Sequence, residues 1–497
     1  MLAFIFAGAV CASALVLWHL WPFSEGAVRA RLAQATSTTV RFRTFHAKYF
    51  PFGCVAEGVS LQGSDAAHTV ISIDRLTITS NPLAMLRRHV SQLRAERVQA
   101  SIDRADAAMF HSKSSQTVID DFVADDAVLQ VGQRGSQPFR MVFQSLKVQN
   151  LAGEGPSRFW AVFQNPKPAG VVKISGAFNT WNRSDPSLSG VFGQYSLENA
   201  DLAVFHSLTG KISSTGHFAG TLKALDVEGS TNSPEFELTD THHHLPLHTV
   251  FRVRVDATAG DVLIRALKAS FGRDELDVQG SVARGQDGKR VALIDINCAS
   301  GRIEDTFYPF IHSPKSPIAG DVVFRMHVTI PGGGERFLKR VEMESTYRIS
   351  NAQFTNPQTE LRLKKVSDDK HSDDKHSDDK HTDDKHSDDK HSDSAATLDG
   401  GVLLQAGIAH FSVLSVKDEG ASAQLHGMYN LVDDRVNLHG QLTTTASLAK
   451  TTSGVKAVFA RVLEPLIKKR HHEKIVPVKI TGSFHHPNFG LDISSRM

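Results

Sequence analysis

"HTVFRVRVDATAGDVLIRALKAS" (248–270) decides how most of this chain folds. Phe251, Val253 and Val255 alternate with Arg252, Arg254 and Asp256. A backbone with a side-chain period of two sends the first set to one face and the charged set to the other. Ala259-Gly260-Asp261 supplies a turn, and a second strand follows. Short strands punctuated by Gly, Asn and Asp recur in "GVVKISGAFNTW" (170–181), "GTLKALDVEGS" (220–230) and "DELDVQGSVA" (274–283). The phrase V/I-x-G-S/A returns at 174–177 and 278–281. Residues 115–350 therefore read as loosely repeated meander strands. The pattern resumes in "ASAQLHGMYNLVDDRVNLHGQLTT" (421–444), with Leu425, Tyr429 and Leu431 on one face and Asp433-Asp434 at the turn. The expected fold is mostly β with a few helices.

Two stretches break the alternation. After the strand "VISIDRLTI" (70–78), "SNPLAMLRRHVSQLRAERVQASID" (80–103) puts Leu83, Leu86, Val90 and Leu93 at helical spacing. Asn81 or Ser80 would cap this helix, Pro82 suits its first turn, and the chain turns extended again at "RVQASID" (97–103). The expectation is strand–helix–strand. The second stretch, "SLAKTTSGVKAVFARVLEPLIKKR" (447–470), is amphipathic and helical, shortened or kinked by Pro465. Lys468, Lys469 and Arg470 are its candidates for docking on anionic lipid, against a plainer reading as a packed cap on the sheet. "VPVKITGSF" and "NFGLDI" read as closing strands.

The chain has 497 residues, too many for one compact core, so several domains or one elongated architecture is expected. Its net charge of +2 hides the run "SDDKHSDDKHSDDKHTDDKHSDDKHSD" (367–393). That run holds eleven Asp and five Lys, a net of −6, which leaves a thinly spread +8 elsewhere. Such a balance suits an anionic membrane surface weakly and lacks the concentrated footprint of a nucleic-acid binder. The pentads offer no apolar face at either period, so they read as a disordered surface insert. They lack the Gly and terminal Glu of a calcium loop, and the fixed shell of a structural metal site. Among 25 histidines, none has metal-ligand spacing on a helix face, and His242-His243-His244 sits in a loop reading. "IPGGGERF" (330–337) is a turn without the Lys of a phosphate loop. No catalytic, metal or cofactor-binding residues are assigned, and no enzyme or cofactor is expected. Cys11, Cys54 and Cys298 form no CxxC, although a Cys54–Cys298 bridge is open outside the cytoplasm.

"MLAFIFAGAVCASALVLWHLWPF" (1–23) contains no Asp, Glu, Lys or Arg, and about 20 helical residues span a hydrocarbon core. An uncleaved single-pass anchor is the reading preferred over a cleaved signal at Ala12-Ser13-Ala14, with Trp18 and Trp21 as interfacial residues. Arg29 and Arg31 follow the run and nothing basic precedes it, which by charge counting argues against exporting the bulk.

Three stretches resemble the AsmA-like family of envelope proteins, related to repeating-β-groove lipid-transfer proteins. They are "ISIDRLTITSNPLAMLRRHVSQLRAERVQASI" (71–102), the Gly-punctuated strands from 216 to 272, and the closing order of hairpin, T-x-S-G helix, and the P-h-K-I-x-G and P-x-F-G-L-D strands. The resemblance implies an anchor at 1–23, a strand–helix–strand region at 24–114, and a β-rich body at 115–366 forming an elongated curled groove. The pentad insert at 367–396 and a C-terminal segment at 397–497 complete this division. It further implies an inner-membrane location with the bulk in the periplasm, and phospholipid acyl chains as partners. Phe251, Val253, Val255, Leu425 and Tyr429 become candidates for touching lipid. The alternative is a non-conducting scaffold or regulator of outer-membrane protein assembly, partnered by other envelope proteins and with the same residues packed against protein.

Overall fold

The computed structural model describes residues 22–492 apart from 37, 64–69, 104–116, 133–138, 154, 167, 180–184, 206–207, 240, 286–287, 311–314, 317, 334, 355–395, 419–420, 445–474 and 484–485. Most of the 1–23 apolar run, the pentad insert, and the 447–470 segment with Lys468, Lys469 and Arg470 lie outside the described residues. What is described is mostly β, with few helices: α1 (Glu25–Thr36), α2 (Pro82–Leu86), α3 (Ile303–Phe307) and α4 (Phe337–Arg340). None of the described helices is long and apolar enough to cross a membrane. The chain divides into two compact units. The first comprises residues 1–204, 211–231 and 254–260, and the second 205–210, 232–253 and 261–497.

In the first unit, β1 (Thr38–Arg41) and β2 (Thr44–Tyr49) both pair antiparallel with β3 (Phe52–Gly63), along its far and near halves respectively. The ladder continues through β4 (Val70–Thr79), β5 (His89–Asp103), β6 (Val118–Gly132), β7 (Phe139–Leu151), β8 (Ser157–Pro166), β9 (Ala169–Phe178) and β10 (Gly190–Asp201). The two-residue strand β11 (Leu208–Thr209) belongs to the second unit. β12 (Lys211–Thr221) extends the first unit's ladder from β10. Within this ladder, among the described residues, β5 and β6 pair parallel, which demands a crossover of a dozen or more residues, and residues 104–117 supply that length. The helix α1 lies against β1 and β2, where Phe23 and Val28 join a core of Val40, Cys54, Ala56, Val59, Leu61, Ile73, Leu76, Ile78 and Ala95.

The helix expected over residues 80–96 is one turn long. Asn81 caps it as expected, its side chain accepting a hydrogen bond from the Ala84 N–H at 2.7 Å, with Pro82 at the first position. The chain is already extended at His89, so Val90 and Leu93 belong to β5. The reason is a change of phase without a change of register. Arg97 takes φ 51° and interrupts the ladder, yet Glu96 opposite Arg75 and Val98 opposite Ile73 keep one register. Leu93 and Ala95 face the same way as Val98 and Ala100, and a three-residue step inside a strand imitates helical spacing.

The second unit takes in parts of β13 (Ala224–Leu238) and β14 (His244–Asp256), with β11 paired to Glu237 and Leu238. An antiparallel ladder then runs through β15 (Asp261–Phe271), β16 (Asp274–Arg284), β17 (Arg290–Arg302), β18 (Ile318–Ile330) and β19 (Glu342–Phe354). It continues through β20 (Ala396–Gln405), β21 (Ile408–Asp418), β22 (Ala421–Asn430), β23 (Arg435–Thr444), β24 (Ile475–Ser483) and β25 (His486–Leu491). The expected strands at 248–256, 261–270, 274–283 and 421–444 all form. The Asp433-Asp434 turn forms too, with Asp434 at φ 51°. Cys54 and Cys298 are buried free thiols.

Candidate functional site

Registers, read strand by strand, join the alternating apolar residues into rows that cross each ladder. In the second unit one row is Leu267–Val278–Ile296–Met326–Ser345–Val402–Phe411–Gly427–Leu438–Ile480–Phe489. Beside it runs Cys298–Phe324–Tyr347–Gly400–Leu414–Leu425–Gly440–Val478–Leu491. On its other side runs Ile264–Gly280–Ile294–Val328–Met343–Leu404–Ala409–Tyr429–Val436. The first unit has its own rows: Cys54–Ile78–Leu93–Phe122–Val148–Phe159–Gly176–Gly193–Phe218, and Ala56–Leu76–Ala95–Ala124–Leu146–Ala161–Ile174–Tyr195–Gly216. Almost every position is apolar or glycine. The lone hydroxyl in the longest row, Ser345, is buried and donates to the Arg325 carbonyl at 3.0 Å.

Adjacent strands lie about 4.8 Å apart, so the longest row follows its sheet for about 48 Å. Its larger side chains, Ile296, Met326, Phe411 and Ile480, are half-buried and pack against buried neighbours such as Phe324 and Leu425. Among the described residues, the buried members of that cluster come from strands of this ladder, with Ile303 of α3 the one exception. No second sheet contributes to it. The apolar face is therefore lined by its own ladder and left partly open.

Glycines within the rows make room for rings on the neighbouring strand. A Cβ on Gly176 would meet the Phe192 carbonyl oxygen at 2.2 Å and the Phe159 ring at 3.1 Å. One on Gly193 would meet the Phe218 ring at 2.9 Å. In the V/I-x-G-S/A phrase the glycine lets a neighbour come close: a ring at Gly176, and the Leu293 carbonyl oxygen 2.1 Å from where a Cβ on Gly280 would sit.

The opposite face carries charged side chains, with exposed Leu293, Val323, Leu403 and Met428 among them. A cavity of about 970 Å³ in the second unit is lined by consecutive triplets, among them Lys268 beside Leu267, Asp277 and Gln279 around Val278, and Arg325 and His327 around Met326. The cavity walls are more apolar than polar, and the longest-row members Leu267, Val278, Ile296, Met326 and Ser345 are among them. There His327 Nδ1 lies 2.7 Å from Asp295, while Lys268 meets Glu275 at 2.5 Å and Asp277 at 3.8 Å. Cations and carboxylates are interleaved at the flanking positions, and the hollow takes in five consecutive members of the longest row.

Among the candidates for touching lipid, Phe251, Val253 and Val255 are half-buried on β14. Phe251 also borders the cavity that takes in the longest row, between Val250 and Arg252. Leu425 is 3% exposed, enclosed by its neighbours, so it supports the apolar face from beneath. Tyr429 is half-buried, with its hydroxyl donating to Asp434 at 2.8 Å, and burial first, then that carboxylate, raises its pKa. Sequence reading missed Leu267, Val278, Ile296 and Met326, and in the first unit Phe122, Val148 and Phe159. All lie in alternating strands, but which strands adjoin, and in what register, is not written in a single strand.

The histidine loop does structural work. His242 and His244 each aim Nδ1 at the enclosed Glu237 carboxylate, both at 3.0 Å, and His243 stacks on Tyr308 at 4.1 Å. Among the described residues, no group of three His, Cys, Asp or Glu side chains is placed to hold a metal ion. Burial pushes the Cys54 thiol up to about 12 and the Cys298 thiol up to about 11, so both stay protonated at neutral pH.

At the foot of β17, Asp274 is buried and accepts from the Arg302 N–H at 2.7 Å and the Thr306 hydroxyl at 2.5 Å. Arg302 bridges Glu304 and Asp321, both at 2.8 Å. Burial alone would raise the Glu304 carboxyl. Its own N–H, the Gly320 N–H and Arg302 outweigh that and hold it below the usual carboxylate value.

Compared with known proteins, the chain matches no family model, no curated protein and no solved structure.

Proposed function

We propose that this chain is a membrane-anchored envelope protein that holds or conducts phospholipid along the apolar faces of its β-ladders. The observation that carries the reading is the continuity of the half-open longest row across eleven consecutive strands, β15 to β25. The uncharged run at 1–23 and the AsmA-like order of its segments support the anchor and the envelope location.

Physically, acyl chains lie along the rows while head groups stay in water. Each methylene removed from water contributes about 0.8 kcal/mol, so retention comes from area and needs no reacting group. One leaflet of a bilayer core is about 15 Å thick, and the longest row exceeds that roughly threefold, so it takes several acyl chains in file or one that slides. A lining that stays apolar from strand to strand keeps the energy similar along the way, which permits movement.

The test is lipid extraction and native mass spectrometry of the full chain purified in mild detergent, beside Ile296→Asp and Met326→Asp variants. The proposal expects several phospholipids per chain, and fewer when a carboxylate interrupts the row. Equal lipid content in all three would leave only anchor-bound lipid and refute it.

A further inference from the structure

One end of the first unit exposes large apolar side chains where a soluble surface would hide them. The β2–β3 turn presents Phe50 at 93% exposure and Tyr49 at 52%, and the single-turn helix α2 presents Leu83 at 72% and Leu86 at 82%. They share that end of the sheet, because Tyr49 faces Phe52 across the turn, and Gly53, the next residue, pairs with Thr79, three residues before α2 begins. Exposed Lys48, Arg87 and Arg88 border them. Apolar tips ringed by cations have the composition of a surface that sits in the head-group layer of an anionic bilayer.

A second observation points to the same partner. β1 starts with Thr38 opposite Gly63, at the end of β3 remote from this patch. The helix α1 reaches Thr38 from the other direction: Thr36 bonds to Thr38 at 2.6 Å, while Arg29 lies 5.7 Å from the Phe42 ring, further toward the patch. Phe23, just before α1, is buried in a cluster that runs along β3 from Leu61 to Cys54. Followed from Thr36 through Arg29, the helix therefore leads toward the end that carries the exposed Phe and Leu side chains, and the uncharged residues 1–21 precede it in sequence.

We infer that the Tyr49-Phe50 turn and α2 form a docking surface that inserts into the head-group layer of an anionic phospholipid bilayer, seating the first unit's ladder end-on against the membrane. The inference rests in part on the anchor reading of residues 1–23.

The test places spin labels on cysteines introduced by Phe50→Cys or Leu86→Cys in the full chain carrying Cys11→Ala; Cys54 and Cys298 are too buried to label. The chain is reconstituted in vesicles of phosphatidylethanolamine and phosphatidylglycerol, with Val323→Cys, an exposed site on β18, as the control. Accessibility to oxygen is compared with accessibility to an aqueous nickel chelate. Labels at 50 and 86 are expected to gain oxygen contact and lose nickel contact several-fold relative to the control. Arg87→Glu with Arg88→Glu, or vesicles of phosphatidylcholine alone, is expected to reverse much of that change. Labels that read as aqueous as position 323 would overturn the inference, as would failure of the chain to float with the vesicles. Spin–spin broadening showing that a second copy covers the patch would also overturn it. Because these labels report docking alone, lipid content of the row variants tests conduction separately.

Discussion

At the scale of single residues, glycine and carboxylate positions carry the most specific consequences. Gly193 has the Ser175 carbonyl oxygen 2.3 Å and the Phe218 ring 2.9 Å from where a Cβ would sit. Gly193→Val should therefore cost about 1–3 kcal/mol by overpacking, read as a lower midpoint in denaturant. An unchanged midpoint would show that the ring is not seated there. The Arg302–Glu304–Asp321 cluster sets a pH dependence. Both carboxyls lie below their ordinary values of 4.5 and 3.8, so their stabilisation is fully present above pH 4.5. It is lost as pH falls through the depressed folded values. Melting temperature should fall below pH 4.5, and Glu304→Gln should flatten that fall while lowering stability at neutral pH. A variant with an equally steep acid limb would remove Glu304 from the explanation.

At the scale of elements, strand alternation was legible and changes of its phase were not. The strands around 251–255, 278–281 and 425–429 read directly from their period of two, since each runs several residues without a phase change. β5 did not, because the positive-φ Arg97 resets its phase and lends Leu93 to Val98 the appearance of a helix turn. The Asn81 cap was readable because its chemistry is local. Asn81→Ala should cost about 0.5–2 kcal/mol, registering as faster amide exchange over residues 84–88. If exchange there is unchanged, the helix is held by its neighbours and the cap is incidental. The lipid-facing residues were the least legible. Leu425 and Ile296 share the same alternating signature, yet one is enclosed and the other half-open, and only the packing of adjoining strands separates them.

At the scale of the whole molecule, the account depends on one asymmetry: each ladder has a face whose rows are apolar across many strands, while its charged side chains lie on the other face. The sharpest measurement is photo-crosslinking in cells with benzoylphenylalanine placed at Ile296, in the longest row, and at its chain neighbour Asp295 on the charged face. The account predicts phospholipid adducts at 296 and at Met326, the next position along the row, with little or none at 295. Adducts absent from both row positions, or equally abundant at 295, would contradict it.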